Sequence, residues 1–185
     1  MREEIRFSGS GGQGLITVAR VLAKTAILDN INALQSQTYG AEARGGATKS
    51  EVIIATDKIF FPEVEVPDML ILTTQEAYNK YHKVLRPNGI MIIDNFLIKE
   101  YTESTENTIY AEPFTGYANH EFQAKVVMNI LVTGFAVGIL REILTIESFT
   151  KGLEDFFAGD KLKKNILAAH FGFELAKSRP PLHFA

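Results

Sequence analysis

The chain has 185 residues, 46% of them hydrophobic and 22% charged, which suits one α/β domain with a sizeable core spanning 1–185 and is short for two. A net charge of −3 argues against a nucleic-acid grip, and the absence of cysteine excludes disulfides, an iron–sulfur cluster of its own and a thiol nucleophile. His82, His120, His170 and His183 do not fall at helical ligand spacing, so they read as surface or structural groups and no metal site is written here.

In chain order, positions 5–8 read as a short strand, followed by the glycine-rich loop 9–14. Leu15, Val18, Val21, Leu22 and Ala26 recur at helical spacing, so 15–28 reads as a helix that Asp29-Asn30 breaks. A second strand is expected over 31–34, then a polar loop over 35–46, then a strand over 49–55 ending in the turn pair Thr56-Asp57. The apolar run 69–72 reads as a buried strand, 75–85 as a helix stopped by Arg86-Pro87-Asn88-Gly89, and 90–93 as another buried strand. A further strand is expected at 108–111.

From Glu121 onward the pattern is helical, over 121–140, 146–157 and 161–176, with a proline-bearing tail over 178–185. The stretch 126–140 is strongly apolar but shorter than the roughly 20 residues that cross a bilayer. It packs either in this domain's own core or against another subunit. The first residues lack the apolar segment of a signal peptide, so the expected setting is the cytoplasm, with no membrane partner.

Strands alternating with helices predict an α/β fold: one Rossmann-like three-layer domain with a mainly parallel sheet and a helical C-terminal part. An antiparallel hairpin is expected after Lys49, where no helix separates the strand from its neighbours.

Gly9, Gly11 and Gly14 match G-x-G-x-x-G between a predicted strand and a predicted helix, with Gly12 and Gln13 inside the motif. Glycines let the backbone turn sharply, and the helix that follows presents unpaired N–H groups and partial positive charge to an anion. A dinucleotide site also expects an acidic residue closing the second strand. Gln35, Ser36 and Gln37 stand there, and Gly14 is followed by Leu15-Ile16 in place of a phosphate-binding lysine. The loop therefore suits a phosphate better than NAD or FAD, or else only makes a tight turn.

The second loop carries Tyr39, Gly40, Glu42, Arg44, Gly45 and Gly46. It should leave the carboxyl end of the second strand, near the glycine loop, where open parallel sheets bind ligands. Arg44 offers a planar fork of donors to phosphate or carboxylate, beside bare backbone at Gly45-Gly46. Glu42 pairs with Arg44 or meets a partner; an ion pair that only shapes the loop is the other reading.

Gly9-Ser10-Gly11-Gly12-Gln13-Gly14 and then Gln35-Ser36-Gln37-Thr38-Tyr39-Gly40-Ala41-Glu42-Ala43-Arg44-Gly45-Gly46 together resemble the gamma subunits of 2-oxoacid:ferredoxin oxidoreductases. The segments Ala47-Thr48-Lys49-Ser50-Glu51-Val52, Pro67-Asp68-Met69-Leu70 and Gly89-Ile90-Met91-Ile92-Ile93-Asp94 fit as well, and the likeness covers 4–178. The spacing Gln35-x-Gln37-x-Tyr39-Gly40-x-Glu42-x-Arg44 is most similar to the 2-oxoglutarate type.

The resemblance implies a non-catalytic subunit, inactive alone, of an enzyme that decarboxylates a 2-oxoacid oxidatively to its acyl-coenzyme A and reduces ferredoxin. It implies alpha-type, beta-type and ferredoxin-like delta partners that hold thiamine diphosphate, Mg and iron–sulfur clusters. No cofactor is expected on this chain alone: Gly159-Asp160 is followed by Lys161, not by the glycine of a thiamine–Mg motif. Coenzyme A, as shared substrate, is expected to meet Gly9, Gly11, Gly12, Gln13, Gly14, Tyr39, Gly40, Glu42, Arg44, Gly45 and Gly46. The competing readings are the equivalent subunit of a pyruvate, branched-chain oxoacid or indolepyruvate enzyme, a free-standing nucleotide-binding protein, and a scaffold without ligand.

Overall fold

The computed structural model describes residues 1–37 and 47–179. Six strands form one sheet: β1 (Arg2–Gly9), β2 (Asn32–Gln37), β3 (Thr48–Ala55), β4 (Met69–Leu72), β5 (Ile90–Asp94) and β6 (Thr108–Glu112). Their order is β2-β3-β1-β4-β5-β6. β1, β4, β5 and β6 are mutually parallel, while β3 runs antiparallel to both β1 and β2. The hairpin expected beyond Lys49 lies on the other side of that residue: β3 pairs back onto β2 and then inserts beside β1, with Gly9 opposite Thr48.

Among the described residues six α-helices complete the fold: α1 (Leu15–Leu28), α2 (Gln75–Tyr81), α3 (Phe114–His120), α4 (Met128–Ile139), α5 (Ile146–Leu153) and α6 (Gly159–Lys177). The two-residue period of the strands sorts their side chains. Ile5, Phe7, Val52, Ile54, Met69, Ile71, Ile90 and Ile92 join α1, α3, α4, α5 and α6 in one core. Leu70, Leu72, Met91 and Ile93 face the other way, onto α2, Leu85 and Ile98.

One expected helix, 121–140, begins later than expected and one helix, α3, was not expected, each for a local reason. Gln123 takes φ 49°, which an α-helix does not tolerate, so regular helix starts only at Met128 after a short 3-10 turn at Lys125–Val127. The missed α3 starts after Pro113, whose fixed φ suits a helix entry. Asp94 secures that start: its buried carboxylate accepts from Thr115 N–H and from Thr115 Oγ1, the latter at 2.5 Å.

Every residue of α4 is buried. Its partner is α6 of the same chain, so the apolar stretch from Val127 onward belongs to the domain's own core, while Val126 stays exposed. The crossing is close because glycines face backbone: a Cβ added at Gly134 would come 2.4 Å from Ala169 O, and one at Gly172 2.0 Å from Leu131 O. Among the described residues no helix is long and apolar enough to cross a membrane.

At the opposite end of the sheet from the glycine loop, Glu3 is buried beside Asp68 and Arg86. Burial first, and then the Asp68 charge, push its carboxyl from 4.5 up to about 7. A carboxyl with a raised folded-state pKa holds more protons folded than unfolded, so stability falls as pH climbs through the interval from 4.5 to about 7. The slope from one such group reaches about 1.4 kcal/mol per pH unit. Denaturation at pH 5, 6, 7 and 8 should show this decline in the wild type and a flatter course in Glu3→Gln. Identical slopes would remove Glu3 from the cause.

Candidate functional site

After β1 the chain turns to α1 on one face of the sheet, and after β4 it turns to α2 on the other. Neighbouring parallel strands whose connections diverge in this way leave a crevice at their carboxyl ends, the usual ligand position of open α/β sheets. The glycine loop sits on one wall of that crevice and Thr73-Thr74 on the other.

The loop is held by side chains. Gln13 Oε1 accepts from Ser10 N–H at 2.8 Å and from Thr73 Oγ1 at 2.8 Å, so one amide closes the loop on itself and ties it to the end of β4. Thr73 N–H donates to Ser8 O at 3.0 Å. On the other flank Ser8 Oγ donates to Thr48 O at 2.8 Å and Thr48 Oγ1 to Gly9 O at 3.0 Å.

Two of the glycines are required by this geometry. A Cβ at Gly9 would lie 2.0 Å from Thr73 Oγ1 and 2.3 Å from Gln13 Oε1. Gly14 takes φ 72°, and its Cβ would lie 2.5 Å from Asn129 Nδ2. A Cβ at Gly11 would only touch Thr48 Cγ2, at 3.8 Å, and Gly12, at φ 85°, stands in open space. Helix α1 begins at Leu15 without a side-chain cap and without an acidic residue in its first turn. Its first N–H groups therefore open at the crevice, an arrangement that favours an anion.

Of the expected site residues, Gly9, Gly11, Gly12, Gln13 and Gly14 come together here. Tyr39, Gly40, Glu42, Arg44, Gly45 and Gly46 lie outside the described residues. The strands on either side of them end at this edge of the sheet: Gln37 is opposite Ser50, and Thr48 is opposite Gly9.

Thr48, Thr73 and Asn129 complete the surroundings and were not legible as site residues, since nothing local in the sequence links them to the loop. The acidic-residue criterion also changes place. β2 is not a neighbour of β1; the parallel neighbour is β4, and it is followed by Thr73-Thr74. A carboxylate for ribose hydroxyls is missing there too. Asp94, buried at the end of β5, is engaged by Thr115 and by Phe96 N–H at 3.1 Å.

The family model described as pyruvate ferredoxin/flavodoxin oxidoreductase matches residues 4–175. The 2-oxoglutarate synthase subunit KorC of Methanocaldococcus jannaschii is 41% identical over 179 residues, 96% of this chain and 95% of that one. The gamma subunit of a keto/oxoacid ferredoxin oxidoreductase from Geobacter sulfurreducens PCA superposes with a TM-score of 0.84 at 35% identity, covering 96% of this chain and 99% of that one. The 2-oxoglutarate:ferredoxin oxidoreductase of Magnetococcus marinus, solved with 2-oxoglutarate, coenzyme A and succinyl-CoA bound, shares the fold with a TM-score of 0.87 at 20% identity, over 100% of this chain and 33% of that one.

Proposed function

Because the chain belongs to the pyruvate ferredoxin/flavodoxin oxidoreductase family, as a gamma-type non-catalytic subunit most similar to those of 2-oxoglutarate synthases, we propose that it helps a cytoplasmic complex receive coenzyme A. The complex converts 2-oxoglutarate and coenzyme A to succinyl-CoA and carbon dioxide, with the electrons passing to ferredoxin. Alpha-type, beta-type and ferredoxin-like delta chains supply the rest of the machinery. Thiamine diphosphate, Mg and the iron–sulfur clusters belong to those chains. This chain has no cysteine, and its described residues gather no group of histidines and carboxylates for a metal. No step of the redox chemistry is assigned to it.

The observation that carries the reading is the glycine loop, braced by Gln13 between Ser10 and Thr73 beside the uncapped start of α1. Backbone N–H groups at such a start bind phosphate without bringing a full charge of their own. Arg44, in the segment between β2 and β3, adds a guanidinium for the same anion in this reading. The whole of 1–185 acts as one gamma-type domain in this reading.

In the complex purified through this chain, Arg44→Ala should raise the KM for coenzyme A about ten-fold, equivalent to about 1.4 kcal/mol, and leave the KM for 2-oxoglutarate unchanged. Equal changes in both constants, or no change in either, would sink the assignment of the loop to coenzyme A. Purification of the chain without larger partners would remove the complex itself.

A further inference from the structure

Helices α4 and α6 run parallel. Gly134 faces Ala169 and Gly138 faces Phe173, one turn onward in the same sense on each helix. Both N-termini therefore open at the same end of the pair. Asn129, in the first turn of α4, also lies against Gly14 at the start of α1. None of these three helix starts carries a side-chain cap.

A cavity of about 540 Å³ sits at the starts of α4 and α6, lined by Asn129, Phe156, Phe157, Lys161, Lys164 and Asn165. Its volume falls in the range of small-molecule sites, about 300–1,000 Å³. Asn165 is only 6% exposed, and its amide has no hydrogen-bond partner among the described residues. Asn129 is equally buried; its Oδ1 accepts from Ile130 N–H at 2.7 Å, and its Nδ2 has no partner among the described residues. Both residues are nearly buried, yet their unpaired amide atoms face the open cavity, where a ligand with a complementary edge can meet them.

The charge is of one sign. Lys161 and Lys164 are exposed and form no ion pair among the described residues. The nearby carboxylates are already engaged, Asp160 by Lys163 at 3.2 Å and Asp155 by Lys24 at 3.0 Å. Helix starts and free ammonium groups favour phosphate. Phe156 and Phe157 offer flat apolar surface. An asparagine amide presents a donor and an acceptor side by side, which matches the edge of a purine.

We propose that this cavity binds a purine nucleotide, with the base against Phe156 and Phe157 and its edge at Asn129 and Asn165. The phosphates lie toward the start of α6, Lys161 and Lys164. The inference does not depend on the glycine loop receiving phosphate. The same chemistry is offered by free ADP and by the nucleotide end of coenzyme A, and the test separates the two.

Calorimetric titration of the full chain with ADP should show binding that Lys161→Gln/Lys164→Gln weakens at least ten-fold. Both lysines are exposed, so the double variant keeps its fold. Asn165→Asp, nearly isosteric, should weaken ADP similarly by setting a carboxylate in the cavity, with an unchanged thermal midpoint. Displacement of ADP by coenzyme A would identify the coenzyme as the occupant; binding of ADP that coenzyme A does not displace would identify a free nucleotide. Absence of ADP binding, binding undiminished in the double lysine variant, or UDP binding as tightly as ADP would overturn the proposal. Failure of the glycine-loop reading would appear in the kinetics of Arg44→Ala and leave these titrations unaffected.

Discussion

Gly172→Ala should destabilise the chain by at least about 3 kcal/mol, although alanine is the better helix former by about 1 kcal/mol. The added methyl would sit 2.0 Å from Leu131 O and 2.8 Å from Phe135 N. Both are backbone atoms of α4, so no side-chain rotation makes room. Either the helices separate, and the fully buried Phe135 beneath the crossing loses contacts, or the backbone of α4 distorts. Gly12→Ala provides the comparison, since its Cβ meets nothing within 4 Å and suffers only from φ 85°, a penalty of about 1–2 kcal/mol. Urea denaturation with an unchanged m-value measures both. Equal losses in the two variants would mean that the α4–α6 crossing yields more easily than its geometry states.

The second large effect concerns Arg6 and Glu51, side chains 6% and 7% exposed on facing strands. Arg6 Nε donates to Glu51 Oε1 at 2.7 Å, and its terminal nitrogen donates to Val64 O. Tyr81 stands 5.4 Å from the guanidinium. Glu51→Leu leaves a buried guanidinium without its anion and should cost about 3–5 kcal/mol. Arg6→Met should cost less, because Lys49 remains 3.3 Å from Glu51 Oε1 and leads toward solvent. The double replacement should recover most of the loss, since a buried pair roughly breaks even against apolar residues of similar volume. A double-mutant cycle by denaturation tests this, and additive losses would show that the two groups act independently.

These two sites also mark where the sequence is easy and hard to read. Leu15 to Ala26 carries a helical period, and the apolar runs Met69 to Leu72 and Ile90 to Ile93 are too short for helices and are bounded by turn residues, so they became α1, β4 and β5. Arg6 and Glu51, by contrast, look like the polar half of a half-solvated strand. Only the insertion of β3 beside β1 turns them into a buried pair, and that insertion joins segments far apart in sequence. The same distance hid part of the site. The glycine motif was legible because a tight turn before a helix needs small residues at fixed offsets. Thr73 and Asn129 are ordinary residues whose positions arise only when β4 and α4 are packed against it.

The pairing of α4 with α6 bears on how the chain is made. A helix buried on every side has no face that water tolerates, yet its closest partner is Gly159–Lys177, the last helix. At about 5–20 residues per second of synthesis, α4 emerges from the ribosome seconds before that partner does. During this interval the apolar stripe around Gly134 and Gly138 is uncovered. A chain truncated before α6 would keep that liability for good, so chaperone dependence and inclusion-body formation should rise sharply with loss of the last helix, even with the whole sheet present.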